Sequence, residues 1–283
     1  MNEIKRTFIL MWCLVCVPAW AQAQDCYLLT APIYGPGFFS VFNTVIGALD
    51  YVEKNNVGIT VDFQTRGHYY DESVGPNWWC YYFEPICIGN QGAVYQKKFV
   101  NYQKINFSLL AEFQMPRQYA HDIIKKYVRL KPHVQKKIDE FMHAHFDGNY
   151  VIGVHYRGTD KSSEAQVVPY DDVYQVVLSS MQRMCNCAVR IFVATDEAPF
   201  LQFMQEKFAD KVCAIDAMRS ENGKAVHTTM NFNNYKKGED AIIDCILLSR
   251  SDLLIKMASN LSDASMKFNP DLPVIHLNKS FSE

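Results

Sequence analysis

A chain of 283 residues, 49% hydrophobic and 20% charged, has enough apolar material for one large domain or two modest ones and is not a disordered chain. Its formal net charge of -2 argues against a nucleic-acid binder that works by broad phosphate neutralisation. It does not argue against a small anionic ligand, for which one arginine in a cleft suffices.

At the start of the chain, Lys5 and Arg6 precede the apolar run Phe8 to Val17. Pro18 follows, and Ala21-Gln22-Ala23 has the small residues of a cleavage site. The run is too short to span a bilayer comfortably. The expectation is a signal peptide over residues 1–23 and a secreted, periplasmic or lumenal protein with no membrane span after cleavage. A short N-terminal anchor is the alternative. Nine cysteines then fall to seven: Cys26, Cys80, Cys87, Cys185, Cys187, Cys213 and Cys245. Cys80 and Cys87 are a plausible pair across a short loop, an odd count leaves one thiol over, and no spacing suits zinc. Asn106, Asn260 and Asn278 each open an N-glycosylation pattern, meaningful only in a eukaryotic secretory pathway.

In chain order, the first predicted elements are a strand over Cys26–Thr30, a helix over Phe39–Lys54 and a strand over Val57–Phe63. Residues 66–92, rich in aromatics, glycine and proline, read as loop. Helices follow over Arg117–Val128 and Pro132–Phe146, and the turn signal Asp147-Gly148-Asn149 marks a domain boundary. The second half alternates strands with helices. Tyr150–His155, Val189–Ala194, Lys211–Ile215, Leu253–Lys256 and Pro273–Leu277 read as strands. Tyr170–Met184, Ala198–Phe208 and Glu239–Ser249 read as helices. Such alternation predicts a parallel, doubly wound sheet that binds ligands at the carboxyl ends of its strands.

The segment with the most chemistry is His155-Tyr156-Arg157-Gly158-Thr159-Asp160-Lys161-Ser162-Ser163-Glu164, which leaves the carboxyl end of the best strand. An arginine there has a planar fork of donors suited to pyrophosphate oxygens; a solvated Arg-to-Asp pair is the plainer alternative. This segment, with Glu164-Ala165 and Pro169 behind it, closely resembles the α1,6-fucosyltransferase family, which includes N-glycan core and rhizobial nodulation enzymes. Three later stretches agree in order: Ile191 to Glu197, Asp244 to Ile255 with Leu248, Ser249 and Asp252, and Ser259-Asn260 ahead of a final helix. The likeness spans roughly residues 150–277.

The resemblance implies an α/β fold of two Rossmann-like lobes of GT-B type. Residues 24–147 would form the acceptor side and residues 148–283 the donor side. It also implies inverting, metal-independent transfer of fucose from GDP-fucose to a hydroxyl of an oligosaccharide or glycoconjugate. The absence of any Asp-x-Asp triplet agrees with the lack of a metal cofactor. By position, Arg157 neutralises the β-phosphate. His155, Asp160 and Asp244 hold the donor, with Asp244 accepting from guanine N1–H and the 2-amino group. Ser259 and Asn260 face the phosphates, Glu164 is the general base and Lys161 steadies it. Ser249 is either a ligand contact or a back-bonded core serine. His227 lies in a polar loop within reach of a nucleotide or simply in solvent. Asn43, behind the glycine-containing stretch Tyr34 to Gly37, is a candidate donor or acceptor contact.

One departure stands out: the family often has a second arginine directly after the first, where this chain has Gly158. Trp78 to Phe83 reads first as an aromatic core patch and second as a platform for sugar rings. A related transferase with another nucleotide-sugar, or a non-catalytic secreted carbohydrate-binding protein, is the rival reading.

Overall fold

The computed structural model describes residues 26–31, 37–64, 67–89, 97–101, 115–159, 166–184, 187–221 and 233–278. Two sheets organise them. The first contains β1 (Cys26–Thr30), β2 (Gly58–Val61), β3 (Cys87–Ile88) and β4 (Lys97–Asn101) in the order β3-β2-β1-β4. β1 runs parallel to β2 and β4, and β3 closes one edge antiparallel to β2. The second contains β5 (Tyr150–Tyr156), β6 (Val189–Thr195), β7 (Val212–Cys213), β8 (Leu253–Lys256) and β9 (Val274–His276) in the order β7-β6-β5-β8-β9, all parallel.

Among the described residues, seven α-helices cover these sheets: α1 (Phe38–Asn55), α2 (Arg117–Tyr127), α3 (Pro132–His145), α4 (Tyr170–Gln182), α5 (Ala198–Phe208), α6 (Asn234–Ser249) and α7 (Asn260–Phe268). Most of them lie where periodicity predicts. α6 begins five residues before the predicted Glu239. The Asn233 side chain caps it by accepting from the Lys236 N–H at 2.9 Å. Gly238, a helix breaker on propensity alone, is there because the Tyr82 ring occupies the space a Cβ would need.

Burial explains the layering. Parallel strands covered on both faces read as continuous apolar runs, and β5 is buried from Val151 to Tyr156. Its alternating side chains supply two cores. Ile152, Val154 and Tyr156 pack with α4 and α5 through Val173, Val177, Phe200 and Met204. Val151, with Phe192 and Leu254 from the flanking strands, belongs to a larger core that continues through α6 and α1 to the first sheet. α1 packs on α2 and α7, and α3 packs on α6.

Trp78, Trp79, Tyr82 and Phe83 are the centre of this shared layer, each at most 1% exposed. They form a core patch, and the Tyr82 hydroxyl donates to the Tyr235 carbonyl on α6 at 2.8 Å. The expected Cys80–Cys87 bridge is not formed; both are free thiols. Cys80 sits in the short 3-10 helix Trp78–Tyr81. Cys87 starts the edge strand, with its Sγ 3.5 Å from Thr60 Oγ1 across the β2–β3 pairing. Among the described residues no helix is long and apolar enough to cross a membrane.

A close contact between layers is also made at Gly153. A Cβ there would stand 2.6 Å from Ser251 Oγ and 3.1 Å from Leu248 Cδ2. Gly153→Ala is expected to cost about 1–3 kcal/mol through overpacking, read as a lower urea midpoint with unchanged slope; an unchanged midpoint would show that the layers can part at this place.

Candidate active site

A cleft of about 420 Å³ opens at the carboxyl ends of β5 and β6. This is where a parallel sheet presents polar groups, because its strand ends and the following loops escape the helical cover. His155, Tyr156 and Arg157 come from β5 and its end, and Ala194, Thr195 and Asp196 from β6. The first turn of α1, from Gly37 to Ser40, faces them with Tyr69. Lys237, Asp240, Ala241 and Asp244 form a wall along α6, and Asn260 and Leu261 begin α7.

Sheet alternation decides what reaches the cleft. His155 shares a face with Val151 and Gly153, the face on which α6 lies, and is 4% exposed. Asp244 on α6 lines the same space. It is 7% exposed, and its Oδ1 has no hydrogen-bond partner. Burial pushes its carboxyl up to about 8, against the opposing pull of the Arg219 charge. A buried carboxyl with an unpartnered oxygen facing a cleft is suited to ionise against a ligand that brings paired N–H donors.

Arg157 is held at the mouth of β5. Its Nε lies 3.7 Å from Asp196 Oδ2, too long for a strong hydrogen bond. Asp196 in turn accepts from the Gly158 N–H at 3.3 Å and from Thr159 Oγ1 at 2.6 Å, so it anchors the loop that carries the arginine. A Cβ on Gly158 would overlap the Glu197 carboxyl. Tyr170 holds that carboxyl with a 2.8 Å hydrogen bond, and burial raises its proton affinity. No second arginine fits beside the first.

The remaining site candidates separate clearly. Asn260 lines the cleft, and Ser259 caps α7 beside it, accepting from the Leu261 N–H at 3.4 Å. Asn43 does not reach the cleft: it is 2% exposed and accepts from the Lys267 ammonium at 2.9 Å, tying α1 to α7. Ser249 is a back-bonded core serine, its Oγ donating to the Ile246 carbonyl at 2.6 Å at the far end of α6 from the cleft. Asp160, Lys161, Glu164 and His227 lie outside the described residues. Sequence reasoning missed Asp196 as the loop anchor and missed Tyr69, Asp240 and Lys237. The signal for the last two was a helix start directly after the Asn233 cap, hidden by Gly238.

Comparison with known proteins places this arrangement. The family model of nodulation protein Z (NodZ) matches residues 115–270, more than half of the chain. No protein of curated function matches by sequence. Among solved structures, a NodZ alpha-1,6-fucosyltransferase co-crystallized with GDP superposes with a TM-score of 0.58 at 17% identity, over 86% of this chain and 92% of that one. The fucosyltransferase NodZ from Bradyrhizobium gives 0.56 at 17% identity, over 86% and 92%. An Arabidopsis thaliana FUT1 variant in complex with GDP gives 0.55 at 10% identity, over 91% and 71%. Those likenesses are of fold, and the fold is the α/β arrangement of Rossmann-like lobes of GT-B type. With the family model covering both strand ends of the cleft and the whole of α6, the chain belongs to the nodulation protein Z family of glycosyltransferases.

Proposed function

We propose that this protein transfers fucose from GDP-fucose to a hydroxyl of an oligosaccharide or glycoconjugate, with inversion and without a metal ion. The observation that carries the reading is the meeting of Arg157, His155 and Asp244 in one cleft, on a chain of this family. Structures of family members co-crystallized with GDP and soaked with GDP-fucose support the choice of donor.

Guanine is assigned to Asp244, whose carboxylate would accept from N1–H and the 2-amino group and so recover the hydrogen bonds its burial costs. The diphosphate is assigned to the Arg157 guanidinium, with the open first turns of α1 and α7 contributing N–H groups. In the reaction the acceptor oxygen forms a bond to the anomeric carbon. The bond from that carbon to the β-phosphate oxygen breaks, and its electron pair leaves with GDP. Glu164 takes the acceptor proton and Lys161 steadies the charge, on the sequence pattern alone. Without a cation the leaving charge falls to arginine, lysine and helix N-termini. The proposal extends to a signal peptide over residues 1–23, an acceptor-side lobe over 24–147, a donor-side lobe over 148–283, and action within a secretory pathway or periplasm.

Arg157→Ala is expected to abolish saturable GDP binding in calorimetric titration, whereas Glu164→Gln should bind GDP like the wild type and lose transfer from GDP-fucose. Near-normal transfer by Glu164→Gln would remove Glu164 from the mechanism. A wild type that binds GDP yet never turns over GDP-fucose would favour the non-catalytic reading.

The buried Asp244 carboxyl adds a pH signature. Its proton must leave before guanine can bind, so between pH 6.5 and 8 GDP affinity should rise about tenfold per pH unit and level off above 8. Stability of the empty fold runs the other way. Folding raises this pKa from 3.8, so the native state holds the extra proton and loses stability as pH climbs from 4 towards 8. Asp244→Asn should flatten both dependences and bind GDP more weakly at pH 8; a wild-type affinity independent of pH would contradict the assignment.

A further inference from the structure

Among the described residues, the charge lining the cleft does not balance for a diphosphate on Arg157 alone. Asp196, Asp240 and Asp244 all line it, and the Glu197 carboxyl lies against Gly158, next to the arginine. Arg157 already leans on Asp196. Asp240 is matched by Lys236 at 2.9 Å, with its other oxygen accepting from the Met218 N–H at 3.3 Å. Among the described residues around the cleft, carboxyl groups outnumber the Arg157 guanidinium.

Among the described residues that line the cleft, Arg157 and Lys237 are the two with lysine or arginine side chains. Lys237 sits in the first turn of α6, the turn capped by Asn233, and is only 8% exposed. Its helical neighbour Lys236 points to Asp240 and to the Asp216 carbonyl, while Lys237 lines the cleft. The two cations adjoin one segment of the first lobe: His68 is depressed partly by the Lys237 charge, and Tyr69 senses the charge of Arg157. Burial also holds the Lys237 ammonium below the ordinary lysine range. An anion brought beside a buried ammonium favours its charged form.

Resting on the GDP-fucose reading above, we propose that Lys237 is the second phosphate-binding cation of the donor site, carrying from α6 the charge for which Gly158 leaves no room. The proposal makes donor affinity depend on the lysine through the phosphates and not through the base. Guanosine would be indifferent to it, GMP partly sensitive and GDP most sensitive. It also means that the two cations reach the diphosphate from different elements, Arg157 from a strand end and Lys237 from a helix.

The test titrates wild type, Lys237→Met and Lys237→Arg with GDP, GMP and guanosine by calorimetry or competition. Methionine keeps the length and apolar stem of lysine, so the fold is expected to survive. Where Lys237→Met fails to fold, Lys237→Gln carries the same comparison. The expected result is an about ten- to hundredfold weaker GDP affinity in the neutral variant, unchanged guanosine affinity, and recovery of most GDP affinity in Lys237→Arg. Equal GDP affinity in wild type and Lys237→Met would overturn the proposal. So would an equal loss of GDP and guanosine, which marks a structural lysine. Failure of the wild type to bind GDP at all would instead overturn the donor reading on which this one rests.

Discussion

The close seat of α6 on β5 is the constraint on which the cleft depends. Gly153 leaves room for Ser251 and Leu248 to come down against the strand, and Asp252, at the start of β8, clamps the same strand by accepting from the Val151 N–H at 2.7 Å. With α6 held there, Asp244 faces the space above His155. The same helix reaches the first lobe, because Tyr82 fits over Gly238 and donates to Tyr235. One helix therefore lines the cleft and contacts the first lobe. Glycine is required at both contacts for the same reason: a Cβ at either place would push layers apart that dispersion and burial hold together.

Side chains buried along the wall of this cleft lose water around their charged forms, and that burial sets their electrostatics. Asp244 keeps its proton towards neutral pH and Lys237 holds its proton less tightly than an exposed lysine. Both departures have one cause, the loss of water around the charged form. An anionic nucleotide with donor edges on its base answers both at once, presenting N–H groups to the carboxylate and oxygens to the ammonium.

The loop after β5 shows how carboxylates organise a cationic site. Asp196 accepts from the Gly158 N–H and the Thr159 hydroxyl and lies 3.7 Å from the Arg157 Nε. Glu197, pinned by Tyr170, fills the volume next to Gly158. The position after Arg157 is thus closed by packing, and the missing positive charge has to be sought across the cleft on α6.

Much of this was legible in the chain itself. The runs at Tyr150–Tyr156 and Val189–Thr195 read as buried parallel strands because both faces demand apolar residues, and the segment from His155 to Arg157 was placed at a strand end by that pattern alone. The amphipathic helices likewise announced themselves by period. Asn43 and Ser249 were beyond reach, since a polar residue on an apolar helix face looks alike whether it meets a ligand, the Lys267 ammonium or its own carbonyls. Lys237 stayed hidden because Gly238 reads locally as a break, and only Tyr82, from the other lobe, turns that glycine into a helical contact. The sequence by itself determined the strand and helix register, and with it which residues of β5 face α6. The tertiary structure alone decided which polar groups share a cleft, because desolvation and charge pairing arise between residues far apart in the chain.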